Sequence, residues 1–353
     1  MANIFSNLLS AKKDRQPLSN TTLLLTITII TFFAMYIFAM LVWGEGFLNP
    51  QQFIDLFNNN AYLIVISCGL TIVMITGGID ISVGGSVALI TMACVVFMEN
   101  HGNGILSSIL ISLGIGLAMG IVQGFFISYL KIQPFIVTLA GMFFTRGMTT
   151  IVSKVPRTAT QKAFIALKEH WIDLPLIGRY AKNGNWIPCY IETGVIIAVI
   201  VVIVLWATLK WTRFGRNLYA VGGNAESALM LGINVQRTQF FAYVLCGLLA
   251  GIAGFCYLLH TGAGNASNAS GAEMQAIASS IIGGTLLSGG VGSVTGTLFG
   301  VMSLKTINNI VVASGLREPY WQSITTGLML CFFILLQSVI LSIRKKKLGT
   351  MAA

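Results

Sequence analysis

The apolar run IETGVIIAVIVVIVLWATLK at residues 191–210, with the polar stretch WTRFGRNLYAVGGNAESALMLGINVQR at 211–237 behind it, decides the fold. No charge lies between Glu192 and Lys210. As a helix rising 1.5 Å per residue, the run crosses ~30 Å of hydrocarbon. Runs of the same kind recur at 22–43, 61–79, 81–98, 105–130, 132–152, 238–260 and 321–343. Two weaker segments follow the seventh: 274–288 is short and rich in glycine, and 291–313 contains Lys305, Asn308 and Asn309. Across all 353 residues the chain is 55% hydrophobic and 9% charged, where a soluble domain has roughly 25% charged residues. So few charges cannot cover a water-facing surface. Glycine is abundant and proline sparse, as where membrane helices pack closely. The expectation is an all-α polytopic membrane helical bundle, one transmembrane domain over 1–353, with about ten crossings. Eight crossings with 274–290 as a re-entrant element is the alternative.

Charge placement orients the bundle. Lys12, Lys13 and Arg15 lie in the tail at 1–20, and Arg344, Lys345, Lys346 and Lys347 in the tail at 344–353. An even number of crossings puts both tails on one side, and the positive-inside rule makes that side cytoplasmic. Lys131, Lys210, Arg213, Arg216 and Arg237 then lie inside as well, giving twelve basic against two acidic residues there. That excess equals the net charge of +10, so no basic patch remains for nucleic acid. The loop at 153–190 falls outside although it holds Lys154, Arg157, Lys162, Lys168, Arg179 and Lys182. Longer loops follow the rule less strictly.

The segment 211–237 is the largest polar interruption on the cytoplasmic side. Gly222-Gly223 is expected to break the chain and Asn224 to cap a short helix, its side chain accepting a free backbone N–H. Ala225 to Leu231 is the helical run, and Gly232 ends it, since glycine tolerates the left-handed C′ conformation. Such a helix between two membrane helices is either a tidy loop or a docking element for a soluble partner. The stretch GGIDISVGG at 77–85 closes one apolar run and opens the next, and Gly283-Gly284 through Ser293 does likewise. Transporters are commonly built from repeats of this sort.

Four blocks carry a family resemblance. They are TRFGRNLYAVGGN at 212–224 with LGINV at 231–235; GGIDISVGG at 77–85; PFIVTLAGM at 134–142 with Arg146-Gly147; and GGTLLSGGVGSVTG at 283–296. In this order, over about 20 to 345, they resemble the permease subunits of bacterial ABC sugar importers of the ribose, galactose, xylose and arabinose type. The wording LAGMFF-RG and IIGGTLLSGGVGSVTGTLFG is most similar to a galactofuranose permease subunit. The resemblance implies the ABC importer permease fold in the bacterial cytoplasmic (inner) membrane. It implies a second permease chain, as homodimer or sister permease, and an extracytoplasmic sugar-binding protein. It implies a cytoplasmic ATPase carrying ATP and Mg, so this chain holds no cofactor. Residues 222–233 become the coupling helix, with Arg213, Gly215, Gly222, Gly223, Asn224, Ala225, Glu226, Ala228, Gly232 and Ile233 at the contact. A Walker A loop needs Gly-Lys-Ser/Thr to cradle phosphates, and no Gly-Lys pair occurs here.

Asp80, Arg146, Glu273 and Lys305 sit within or at the ends of apolar runs. Each charge at membrane depth costs at least ~2.5–3.5 kcal/mol, so it pairs or faces water. Asp80 with Ser82 either caps the next helix or lines a pathway. Arg146 is placed to snorkel to the interface. Glu273 is a dipole partner in a first helical turn or a pathway acid; related permeases carry a second acid where Gln275 stands here. Lys305 is too deep to snorkel and shares adjoining helical faces with Asn308 and Asn309. It faces a water-filled path or another subunit, or forms a buried ion pair with Glu273 or Asp80. Asp80, Ser82, Glu273, Lys305 and Asn308 are the candidate pathway residues. Gln123, Thr138 and Ser279 suit a neutral, hydroxyl-rich solute, and equally suit helix-to-helix hydrogen bonds. An ion-coupled secondary transporter using Asp80 and Glu273 is the competing reading. An intramembrane enzyme lacks a motif: no HExxH or GxSxG occurs, and His101, His170 and His260 are scattered.

Overall fold

The computed structural model describes residues 20–101, 104–180 and 186–352. The basic tail residues Lys12, Lys13 and Arg15, and Lys182 in the long loop, lie outside the described residues, as do the side chains of 344–347.

Uncharged runs become helices wherever nothing interrupts them. These are α1 (Asn20–Trp43), α5 (Val83–His101), α6 (Ile105–Ser128), α7 (Pro134–Val152), α9 (Thr193–Trp211), α12 (Val235–Thr261), α14 (Val294–Ala313) and α15 (Pro319–Ala352). Among the described residues these eight contain a stretch long and apolar enough to cross a membrane. The short pieces between α1 and α5 are α2 (Glu45–Leu48), α3 (Pro50–Asn58) and α4 (Ala61–Ile75). α3 and α4 make a ninth candidate span if read together, bent by 53°. Pro50 stands at the start of α3, where its missing N–H costs nothing, and Asn49 accepts the Gln51 N–H at 3.1 Å as its cap.

The expected ten crossings are therefore met by fewer complete helices. α4 has 15 residues and α13 (Ala272–Ile282) has 11, roughly 22 and 16 Å long. Both stop short of the ~30 Å of a bilayer core. Glycine-rich turns at 76–82 and 283–293 end them, so the apolar runs at 61–79 and 274–288 are only partly helical. Conversely 291–313, weakened in sequence by Lys305, contains the full-length helix α14.

The bundle buries polar groups and exposes apolar ones. Ile30, Ile37 and Leu41 on α1, Ile200 and Ile203 on α9, and Leu328 and Leu335 on α15 are all exposed, as lipid requires in place of water. At the centre is α4, of which every residue but Tyr62 is buried. Thr71 Oγ1 lies 2.6 Å from Thr297 Oγ1 and donates to Ser280 Oγ at 3.0 Å, tying α4 to α13 and α14. Gly116, Gly120 and Gly124 on α6 lie against Gly247 and Gly251 on α12 and the backbone of Phe240 to Val244. A Cβ at Gly116 would strike the Gly247 carbonyl, so these small residues let the two backbones touch.

The loop at 153–190 is structured. It holds β1 (Arg157–Thr158), α8 (Lys162–Lys168), β2 (Trp171–Tyr180) and the start of β3 (Trp186–Glu192); β4 (Ala263–Gly264) pairs with β1. The hairpin β2–β3 runs antiparallel with Trp171 opposite Glu192, and a register shift separates Leu174 from Gly178. Carboxamides on α3 hold it. Gln51 Oε1 accepts the Tyr190 N–H at 3.0 Å, and Asn58 Oδ1 the Glu192 N–H at 3.0 Å. α4 and α9 begin side by side near this hairpin, where Gly194 faces Ala61. They end at the opposite pole, beside the segment 211–237.

Candidate coupling site

The polar stretch after α9 folds as two helices at a sharp corner: α10 (Arg213–Gly223) and α11 (Ala225–Met230). Thr212 caps α10 by accepting the Gly215 N–H at 3.1 Å. Gly215 sits so close to the end of α9 that a Cβ there would meet the Leu209 and Thr208 carbonyls. The expected chain break at Gly222-Gly223 moves to Asn224, whose extended backbone (φ −159°, ψ 110°) ends α10. Both glycines belong to α10. Reading them as a break missed this helix, although Gly215, Leu218, Tyr219 and Gly222 follow the 3–4-residue spacing of a helical face.

The caps of α11 fall where the residues called for them. Asn224 Oδ1 accepts the Ser227 N–H at 2.8 Å. Gly232 takes φ +78°, its N–H donates to Leu229 O at 2.9 Å and that of Ile233 to Ala228 O at 3.0 Å, the paired closure of a Schellman motif. Glu226 lies in the first turn, where a negative charge suits the helix dipole. Ala228 is buried, while Leu229, Met230 and Leu231 project outward, Met230 88% exposed. Ala225, Glu226, Gly232 and Ile233 border a groove of about 630 Å³ with Lys131 on its rim. Arg213, Arg216 and Arg237 are exposed at the same pole.

The inner face of α10 reaches the two glycine-rich turns. A Cβ on Gly222 would run into the Ile75 carbonyl oxygen and the Gly290 amide nitrogen. Gly290 N–H donates to Ile75 O at 2.9 Å, so the turn after α13 is bonded to the end of α4. Gly289 packs on Gly222 O and on Gly77. Gly77, Gly289 and Gly290 have φ of +82°, +84° and +74°, conformations that side chains disfavour. The Tyr219 hydroxyl donates to Gly292 O at 2.9 Å. Burial pushes its phenol up to about 12, so it remains a donor. The sequence reading missed Tyr219 because its partner lies 73 residues away. Gly223 faces open space.

The candidate pathway residues divide. Asp80 Oδ1 accepts the Ser82 N–H at 2.9 Å and its hydroxyl at 2.7 Å, while Gln123 Nε2 donates to Ser82 Oγ at 2.8 Å. Asp80 and Ser82 thus form a buried Asx-type turn leading into α5. Glu273 stands in the first turn of α13 beside Gly84, with Oε2 buried and without a protein partner. Lys305 makes no ion pair with Glu273 or Asp80; Nζ donates to Gln275 Oε1 at 2.7 Å. Asn308 is buried with Oδ1 unpartnered. Arg146 does not snorkel. Its guanidinium donates to the carbonyls of Ala266, Asn268 and Ala269 at 2.9, 2.7 and 3.1 Å, pinning the loop before α13. Thr138 bonds its own helix at Pro134 O.

A family profile described as branched-chain amino acid transport system / permease component matches residues 52–334. The inner membrane ABC transporter permease protein YjfF of Escherichia coli is 36% identical over 89% of this chain and 91% of its own. The fructose import permease protein FruG of Bifidobacterium longum is 33% identical over 94% of each chain. The ribose import permease protein RbsC of Escherichia coli is 31% identical over 84% of this chain and 88% of its own. No solved structure matches the chain. With relatives of this identity spanning nearly its whole length, the chain belongs to the ABC importer permease family, as a multi-pass inner-membrane transport subunit rather than an enzyme.

Proposed function

We propose that this chain is the permease of an ATP-driven importer that moves a monosaccharide into the cytoplasm, and that α11 is the handle by which a separate ATPase works it. The observation that carries the reading is the pairing of two faces on one short segment, α10 with α11. Leu229, Met230 and Leu231 stand exposed at α11, and on α10 Gly222 and Tyr219 touch the end of α4 and the turn between α13 and α14. A push on α11 reaches α4 and the turn after α13 through α10, by the backbone contact at Gly222 and the Tyr219 hydrogen bond. The relatives' names speak of ribose, fructose and galactose and favour a sugar over the amino acid in the family's description. They also favour an ATPase over ion coupling through Asp80 and Glu273.

In this reading ATP and Mg are bound by the partner, a binding protein delivers the sugar at the hairpin pole, and two permease chains enclose the path. Both tails and the segment 211–237 are cytoplasmic. The candidate path residues are Glu273, Lys305 and Asn308, with Asp80 and Ser82 as its structural support. Proteoliposomes holding the chain with its ATPase and binding protein should take up labelled sugar only when ATP is supplied. Uptake driven by a proton or sodium gradient without ATP would overturn the reading. Met230→Cys should resist an impermeant maleimide in intact cells and react once the membrane is opened.

A further inference from the structure

At the pole opposite α10 and α11, a polar cavity of about 220 Å³ opens between α3, α14 and the start of α15. Asp55, Asn59 and Asn60 line it from one side and Lys305, Asn308 and Asn309 from the other. Asn308 lies 15 residues beyond Ser293, the cap of α14 beside Tyr219, so it stands roughly 22 Å along the helix from the coupling pole. The cavity therefore sits toward the hairpin end of the chain.

Its chemistry is that of a site for hydroxyls. Asn308 is 5% exposed and its Oδ1 has no protein partner. Such a buried acceptor is costly unless something donates to it. Lys305 Nζ gives one hydrogen bond, to Gln275, and an ammonium has three N–H donors, so two remain. Asp55 Oδ1 accepts from Gln51 Nε2 at 2.7 Å and from Asn58 Nδ2 at 3.2 Å, which fixes the carboxylate at the rim. One cation and one anion leave the lining neutral. Carboxamides supply donors and acceptors in alternation, the pattern needed by a group that is both, as a hydroxyl is. A cavity of about 220 Å³ has room for a single sugar ring.

We propose that this cavity is a binding subsite for one neutral monosaccharide, with Asn308 Oδ1 accepting and Lys305 Nζ donating to ring hydroxyls. The proposal rests on the sugar-importer reading and locates the sugar within it. Gln275 holds Lys305 in place from α13, so occupancy is linked to the helix whose following turn contacts α10.

Saturation-transfer NMR of D-ribose, D-galactose and D-fructose on the full chain in lipid nanodiscs, without ATPase or binding protein, reads the site directly. At least one of the three should bind, and Asn308→Leu and Lys305→Met should each weaken it at least tenfold. Asn308→Leu replaces an unpartnered buried acceptor with an apolar group of similar size, so its melting temperature should equal or exceed that of the wild type. Equal binding by the wild type and Asn308→Leu overturns the proposal, and so does the absence of binding by all three sugars. Binding of L-leucine that is lost in the same variant places an amino acid there and overturns the sugar assignment. ATP-driven uptake by the wild-type complex tests the importer reading separately, and stands if the cavity fails.

Discussion

Among the described residues, two helix pairs joined by glycine-rich turns, α4–α5 and α13–α14, are built alike and finished differently. Each joins a short helix to a long one through a glycine-rich turn that ends against α10. In the first pair the turn is closed by bonds: Asp80, Ser82 and Gln123 satisfy one another, and Tyr243 O–H reaches Ile79 O. Ser67 Oγ is the unpartnered buried side-chain atom of that pair among the described residues. The second pair leaves Glu273 Oε2, Ser279 Oγ, Thr285 Oγ1, Ser303 Oγ, Thr306 Oγ1 and Asn308 Oδ1 buried without partners. Buried polar groups left unmade cost about 1–3 kcal/mol each, and proteins tolerate this where function needs the atoms. The first pair is therefore a fixed frame. In the proposed reading, the second is the face on which a polar solute or a neighbouring chain acts.

The sharpest way to break this comparison is a wedge where the pairs meet. Gly222→Val drives a side chain into the Ile75 carbonyl and the Gly290 amide, backbone that cannot step aside. ATP-driven uptake should fall more than tenfold, whereas Gly114→Val on α6, which enters open space, should stay within about twofold of the wild type. Equal uptake by both variants would separate α10 from the mechanism. Asp80→Ala strips the frame of its turn and leaves the Ser82 N–H unpaired, so thermal unfolding of the purified chain should show a loss of about 1–3 kcal/mol. Tyr219→Phe removes one hydrogen bond to Gly292 O and should cost about 1 kcal/mol. Its larger effect should be on the ATP hydrolysed per sugar moved. Thr306→Val is the smallest and most telling change. It deletes an unpartnered hydroxyl from the second pair, so stability should be unchanged or slightly raised. A loss as large as that of Asp80→Ala would mean both pairs are equally structural.

Much of this was legible because it is local. An uncharged run near 20 residues is a membrane helix whatever surrounds it, since backbone groups in lipid must be satisfied within the segment. Asn224 and Gly232 bound α11 through bonds within one turn, so their types announced it. The abundance of glycine foretold close packing. α10 was hidden because Arg213, Arg216 and Asn217 make the segment polar, and its buried face is narrow. The hairpin β2–β3 was hidden because Pro175 and Pro188 and mixed polarity read as loop, while α3, remote in sequence, supplies its anchors.

By itself the sequence determined that this protein lives in lipid as a bundle of helices, that its candidate coupling element is a capped helix between Asn224 and Gly232, and which family it resembles. Each of these depends on interactions a few residues apart. Only the tertiary structure decided that Gly77, Gly222 and Gly289-Gly290 meet at one point, that α4 and α13 stop short, and that Lys305 turns to Gln275 rather than to an acid. Those contacts join residues 30 to more than 200 positions apart. Composition and periodicity carry no information about which of many glycines and polar groups the packed bundle brings together.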